Sequence, residues 1–110
     1  MKPTTKLREL LAGDDVLLAP GAIDPMIARM IERAGFQAVY MTGGGTALAR
    51  CGLPDVGIVT MTEMVDNARS IAGSVDIPVI ADADTGYGNP LNVFRTVREY
   101  ERAGVAAIHL

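Results

Sequence analysis

A ten-residue segment of this chain occurs twice. Residues 32–41 read ERAGFQAVYM, and residues 101–110 read ERAGVAAIHL. Each copy has the end of a helix, a glycine that stops it and a short apolar strand. Repeated strand-and-helix units form parallel sheets, either closed into a (β/α)₈ barrel or open and doubly wound. The repeat therefore predicts an α/β fold and leaves both architectures open.

The other elements follow from apolar runs and from helix-capping signals. A first helix is predicted over residues 4–12. The apolar runs predict strands over residues 16–19, 38–41, 79–82 and 106–110. Helix starts are indicated by Asp24-Pro25, Thr60 with Glu63, and Asn89-Pro90.

Apolar residues at helical spacing predict which face of each later helix is buried. Between Asp24 and Gly35, these residues include two methionines that we expect to fill the core. The three predicted stripes are Met26, Ile27, Met30, Ile31 and Ala34; Met64, Val65, Ala68, Ile71 and Ala72; and Leu91, Phe94, Val97 and Tyr100.

Length and charge restrict the classes of protein to which the chain can belong. With 110 residues it is long enough for one globular unit, taken here as residues 1–110. The net charge of −3 without a basic cluster argues against nucleic acid and anionic membranes as partners. The single cysteine, Cys51, excludes an internal disulfide and favours the reducing cytoplasm. No long apolar run suggests a signal peptide or a membrane span.

The segment A-D-A-D-T-G-Y-G, residues 81–88, places two carboxylates at the end of a buried strand. Side chains two residues apart on a strand point to the same face, so Asp82 and Asp84 are expected to converge. Convergent carboxylates repel one another unless a proton or a cation lies between them. A hard divalent cation that keeps several waters fits best, and Mg²⁺ is the expected ion. The alternative is a polar strand end whose aspartates cap the following loop.

Two further segments could bind a small acidic ligand. Thr42 is followed by three glycines after the second strand, and such a loop could offer backbone N–H groups to an anion, or could be a plain tight turn. Asp55, in the loop that begins at Leu53-Pro54, could reach a cation or a substrate, or could cap its own loop.

The two remaining reactive residue types favour structural roles. Cys51 has no histidine near it in the sequence, and a packing or loop thiol is expected rather than a nucleophile. His109 occupies the same position in the second repeat as Tyr40 in the first. We expect a buried, hydrogen-bonded histidine rather than a metal ligand.

Four motifs occur in an order and at a spacing that together identify a family. They are P-G-A-I-D-P at residues 20–25, V-Y-M-T-G-G-G at 39–45, G-L-P-D at 52–55 and D-A-D-T-G-Y-G at 82–88. The chain closely resembles the isocitrate lyase and phosphoenolpyruvate mutase superfamily over essentially its whole length.

This resemblance implies a (β/α)₈ barrel that binds Mg²⁺ and a small 2-oxo acid or tricarboxylate-like substrate. Such enzymes cleave or form C–C or P–C bonds through a pyruvate-type enolate. A lyase acting on a 2-methylisocitrate-like acid is the first expectation, and a phosphonomutase or an oxaloacetate decarboxylase is the alternative. By motif, the metal residues are Asp82 and Asp84, the catalytic residue is Asp55, and the substrate-binding residues are Tyr40, Thr42, Gly43 and Gly44.

A complete barrel needs about 250 residues, and this sequence ends within its predicted fourth strand. The expectation is the amino-terminal half of a barrel, strands one to four, as part of a longer protein or as a truncated gene product. The Cys-Gly-His segment of the lyases is not present, and Cys51 does not match it. A non-catalytic half-barrel is therefore a further alternative. Unpaired outer strands predict that the chain forms a homo-oligomer.

Overall fold

Four parallel strands form one sheet in the order in which they occur along the chain. A computed structural model describes all residues from 1 to 110. The strands are β1 (Gly21–Ala22), β2 (Val39–Met41), β3 (Val79–Asp82) and β4 (Ala107–His109). The register aligns Tyr40 with Gly21 on one side and with Ile80 on the other, and Ile80 with Ala107. This arrangement confirms the α/β fold with sequential parallel strands.

Helices alternate with these strands. They are α1 (Pro3–Ala12), α2 (Pro25–Arg33), α3 (Gly43–Thr46), α4 (Met61–Ser74) and α5 (Pro90–Ala103). Helix α3 continues directly into a π-helical turn, Ala47–Cys51. The predicted N-caps are confirmed: Asp24 accepts the N–H of Ile27, and Thr60 and Asn89 each begin a helix with a capping box.

The hydrophobic core lies between the sheet and helices α2, α4 and α5. Alternate strand residues such as Val39, Met41 and Ala81 are fully buried on this side. Helix α4 buries four of the five predicted stripe residues, and Ala72 is half-buried. The opposite face of the sheet presents Tyr40, Asp82 and other partly exposed side chains.

The first strand lies later in the chain than predicted. Residues 16–19 form no strand, and Val16 is 87% exposed. Pairing with β2 begins only where Tyr40 donates its N–H to the carbonyl of Pro20 at 2.9 Å, and Thr42 donates to Ala22 at 3.2 Å. Strand β2 is three residues long, so the earlier apolar run has no β2 residue to pair with.

Two predicted helix faces are wrong in part, although Ile31 and Tyr100 are buried as predicted and Ile27 packs against the core. In α2, Met26 and Met30 are exposed, and the buried residues are Ala28 and Ile31. The cause is that the methionines lie on a side of α2 that no other element covers.

In α5, the stripe residues Leu91, Phe94 and Val97 are exposed and only Tyr100 is buried. The helix instead turns Thr96, Tyr100 and Ala103 inward. Arg98 stacks over the exposed ring of Phe94 at 5.4 Å from its centroid, which gives the ring a polar cover.

Candidate metal and substrate site

Three aspartates line one small cavity at the carboxyl ends of β2 and β3. The cavity has a volume of about 40 Å³. Its lining consists of Gly43, Ala47, Asp55, Gly57, Ile58, Val59, Met64, Asp82, Asp84 and Tyr87. Three segments that are distant in the sequence therefore meet at the edge of the sheet where ligands bind in parallel α/β folds.

Each of the three carboxylates packs directly against a glycine. A Cβ atom on Gly43 would overlap the Asp82 carboxylate. A Cβ on Gly44 would lie 2.7 Å from Asp55 Oδ2, and one on Gly57 would lie 3.1 Å from Asp84 Oδ2. The glycines therefore make room for carboxylates of this chain, whereas the sequence suggested room for an external anion.

Asp84 reaches the cavity by a route that differs from the predicted one. Strand β3 ends at Asp82, and Asp84 follows in a turn with a left-handed backbone, φ +49°. Its N–H donates to Asp82 Oδ1 at 2.8 Å. The two carboxylates line the same cavity because a turn folds back, and not because they alternate along a strand.

The donor set fits a hard cation. The cavity lining contains no Lys, Arg or His, and none of the three aspartates forms a salt bridge. Carboxylate oxygens are the ligands that Mg²⁺ prefers, and this ion keeps several of its waters. No group of three or more acidic, His or Cys side chains is close enough to hold a metal by itself. A bound Mg²⁺ would therefore retain waters or take further ligands from a substrate.

The glycine-rich segment is a helix start and not a loop. Thr42 is the N-cap of α3, and its Oγ1 accepts the N–H of Gly45 at 3.1 Å. The Thr42 hydroxyl is thus used within the chain. Since the first N–H groups of a helix have no intrahelical partner, those of Gly43 and Gly44 are the ones that could bind an anion.

Tyr40 and His109 meet across β3. The Tyr40 hydroxyl and His109 Nδ1 share a hydrogen bond of 3.1 Å, and His109 lies beside Asp82 in the sheet register. Burial, reinforced by the nearby Asp82 carboxylate, raises the pKa of the Tyr40 phenol. The prediction of a buried histidine is wrong, because His109 is exposed, although it is hydrogen-bonded.

Cys51 has the environment of an unreactive thiol. Its Sγ donates to Glu63 Oε2 at 3.3 Å, and this hydrogen bond to a carboxylate is the main reason that the pKa of Cys51 is raised. A raised pKa keeps the thiol protonated at neutral pH, and the thiolate is the nucleophilic form.

Several residues near the site were missed by the sequence reasoning. Tyr87 lines the cavity with a left-handed backbone, φ +63°. Thr96 and Tyr100 are buried behind the turn that carries Asp84. Tyr100 was predicted as part of the apolar stripe of α5 without a role at the site, whereas Thr96 lies outside that stripe and nothing in the periodicity indicated it.

A larger cleft, of about 290 Å³, lies between α4 and α5 on the outside of the helices. It contains three arginines and three carboxylates, among them Arg50 and Asp66 at 2.5 Å. Because these charges neutralise one another, the smaller cavity at the strand ends is the better candidate for chemistry. None of the helices combines the length and the apolar character that a membrane span requires.

Comparison with known proteins shows what the chain is similar to. The phosphoenolpyruvate phosphomutase family model matches residues 7–110. The 2,3-dimethylmalate lyase of Eubacterium barkeri is 57% identical over 110 residues, which are 100% of this chain and 38% of that protein. The 2-methylisocitrate lyase of Aeropyrum pernix is 44% identical over 109 residues, which are 99% of this chain and 35% of that protein.

The fold agrees with these relationships. A crystal structure of phosphonopyruvate hydrolase in complex with oxalate and Mg²⁺ superposes with a TM-score of 0.90 and 38% identity, covering 98% of this chain and 38% of that one. The chain thus spans little more than a third of the length of the relatives it matches. Since the family match covers nearly every residue, the chain belongs to the phosphoenolpyruvate phosphomutase family.

Proposed function

We propose that this chain carries the Mg²⁺-binding part of a carbon–carbon lyase that acts on a 2-methylisocitrate-like acid. The main support is the cavity at the strand ends, where three carboxylates pack on glycines with no basic side chain to neutralise them. The similarity to a 2,3-dimethylmalate lyase and to a 2-methylisocitrate lyase favours C–C cleavage over the other reactions of the family.

In this proposal Asp82 and Asp84 hold Mg²⁺, directly or through its waters. When bound, the ion stabilises the negative charge that develops on an enolate oxygen. Asp55 is the catalytic residue. Its carboxylate has no salt-bridge partner and can accept the proton that a substrate hydroxyl loses as the C–C bond breaks.

The substrate carboxylate is assigned to the start of α3, with the N–H groups of Gly43 and Gly44 as donors. Thr42 fixes this first turn by capping it. Tyr40 lies beside the site, where burial and the Asp82 carboxylate raise the pKa of its phenol, and this hydroxyl can donate a hydrogen bond to an anionic group. Preorganised donors of this kind are effective where charge builds up in the transition state.

A chimera tests the proposal. The 110 residues of this chain replace the matched segment of the Eubacterium barkeri lyase, and release of pyruvate from 2-methylisocitrate and from 2,3-dimethylmalate is measured with Mg²⁺. We expect turnover on at least one of the two substrates. Asp82→Ala and Asp84→Ala should lower kcat by about 100-fold or more, since charge stabilisation is lost.

Asp66→Ala is the matched control, because Asp66 is an exposed aspartate of α4 that pairs with Arg50 outside the cavity. This variant should keep its turnover. Full activity of the Asp82→Ala chimera in metal-depleted buffer would refute the assignment of the metal site.

The same chimera distinguishes the alternatives within the family. Cleavage of phosphonopyruvate would favour P–C chemistry, which the similarity to phosphonopyruvate hydrolase makes the second candidate. Decarboxylation of oxaloacetate would favour the decarboxylase. A folded chimera without turnover on any of these acids would support a non-catalytic half-barrel.

A further inference from the structure

Helix α5 places two buried hydroxyl groups behind the turn that carries the aspartates. Thr96 is 1% exposed, and its Oγ1 donates to the carbonyl of Gly86 at 2.8 Å. Tyr100 is fully buried, and its hydroxyl donates to the carbonyl of Asp82 at 2.9 Å. The two residues are one helical turn apart, so they lie on the same face of α5.

The two acceptors are the two ends of one turn, residues 82–86. Between them, Asp84 has a left-handed backbone, which is unfavourable for a residue with a side chain. Within the turn, the Asp84 N–H donates to Asp82 Oδ1 at 2.8 Å and the Gly86 N–H donates to Ala83 at 2.9 Å. A strained conformation persists only where surrounding contacts hold it, and α5 supplies a contact at each end.

We propose that Thr96 and Tyr100 are positioning residues that hold Asp82 and Asp84 in the geometry required for the cation. This inference rests on the proposed function, because it concerns the same metal site. The hydroxyls act through the backbone of the turn and touch neither the cavity nor a substrate. Groups that orient metal ligands affect metal affinity even though they do not bind the ion.

The environment of Tyr100 fits this role. Burial raises the pKa of Tyr100 above its ordinary value, and the Tyr87 hydroxyl lies 3.5 Å from the Tyr100 hydroxyl. Tyr87 itself lines the cavity, so the contact continues from α5 to the wall of the site.

The test uses variants that remove one oxygen each while keeping the shape of the side chain. These are Thr96→Val and Tyr100→Phe, with Thr96→Ser as the variant that restores the hydroxyl. Ser74→Ala is the stability control, because the Ser74 hydroxyl donates to Ile71 at 2.8 Å at the far end of α4. Binding of Mg²⁺ is followed by the amide resonance of Asp84, and hydrogen exchange of the same amide is measured without metal.

We expect Thr96→Val and Tyr100→Phe to weaken Mg²⁺ binding by about tenfold or more, the usual range for residues that orient metal ligands. Exchange of the Asp84 amide should accelerate by about tenfold, because the turn opens more often. Thr96→Ser should stay within about twofold of wild type in both measurements. Ser74→Ala should lower global stability and change neither.

Unchanged Mg²⁺ affinity and unchanged exchange in both variants would overturn the inference. If instead Ser74→Ala weakened Mg²⁺ binding equally, the effect would reflect stability alone, and the inference would also fail. The metal site would be refuted if the wild-type chain showed no Mg²⁺ response, or if Asp82→Asn left that response unchanged. The exchange rates of Asp84 would then decide whether α5 holds the turn.

Discussion

Replacing Gly43 by alanine should weaken metal binding while leaving the fold intact. Gly43 is the first residue of α3, and a Cβ atom there would overlap Asp82 Oδ2 and lie 2.8 Å from its Cγ. Ordinary van der Waals contact begins at 3.4 Å, so Asp82 Cγ must move at least about 0.6 Å away from the new Cβ atom. A displacement of this size at a metal ligand or catalytic group is enough to impair function.

The effect on global stability should be small, because two contributions oppose one another. Alanine is favoured over glycine in a helix by about 0.5–1 kcal/mol. Rotation of the Asp82 side chain away from the new methyl group costs about 0.5–1.5 kcal/mol if it leaves its rotamer. The free energy of unfolding of Gly43→Ala should therefore lie within about 1 kcal/mol of wild type, whereas Mg²⁺ affinity should fall by about tenfold or more.

Gly73→Ala is the matched control. Gly73 lies in α4, its backbone φ is not positive, and a Cβ there would meet nothing within 4 Å. This substitution should stabilise the protein by about 0.4–1 kcal/mol, which corresponds to a rise in Tm of about 4 °C. Its Mg²⁺ affinity should equal that of wild type.

Thermal unfolding by circular dichroism and Mg²⁺ titration of the Asp84 amide measure both quantities on the same three proteins. The expected pattern is weaker Mg²⁺ binding in Gly43→Ala alone. If Gly43→Ala bound Mg²⁺ as tightly as wild type, the Asp82 carboxylate would not be a ligand in the observed rotamer. If Gly73→Ala were destabilised as much as Gly43→Ala, steric contact with Asp82 would not be the cause of the Gly43→Ala effect.

Four further outcomes are expected. Gly44→Ala, whose Cβ would meet Asp55, should lower kcat of the chimera by about 100-fold, with the Mg²⁺ affinity of the chain unchanged; equal losses of both would contradict separate roles. Ile71→Ala, in the core and fully buried, should cost about 2–5 kcal/mol in urea unfolding. Hydrogen bonds from Thr60 lower the pKa of Glu63 from 4.5. The ionised Glu63 side chain therefore contributes stability above pH 4.5, and this contribution is lost as the pH falls through the folded pKa. Glu63→Gln should be less acid-sensitive than wild type in a series of thermal melts from pH 7 to pH 3. The outer edges of β1 and β4 are unpaired in the sheet, and unpaired edges favour association. The 110-residue chain should therefore elute as dimers or larger assemblies in size-exclusion chromatography with light scattering. A sharp monomer peak with cooperative unfolding would contradict this expectation.

Much of the fold could be predicted because its signals are local. An N-cap side chain accepts a hydrogen bond from a backbone N–H three residues away, so its signal is local. The helix starts predicted from Asp24, Thr60 and Asn89 are confirmed by the structure. Gly104 ends α5 with a left-handed backbone, as predicted from its position after the helix. The buried runs of β2 and β3 were likewise predicted, because a strand covered by helices must be apolar over its length.

The sequence also indicated which acidic residues meet in the candidate cavity. Asp55, Asp82 and Asp84 were selected from motif spacing, and all three line one cavity. A motif is defined by residue types and their order, and both can be read from the sequence without knowing the geometry. Their roles as ligands or catalysts remain the predictions that the chimera and the Mg²⁺ titrations test.

Only the tertiary structure decided how these residues meet. The left-handed turn at Asp84, the glycines that accommodate each carboxylate and the buried face of α5 all depend on which segments pack together in space. Periodicity indicates that a helix has an apolar side, but it does not say whether a neighbour covers that side. Leu91 and Phe94 therefore face solvent while Thr96 is buried, because the carbonyl that Thr96 bonds lies ten residues away in the turn beside the site.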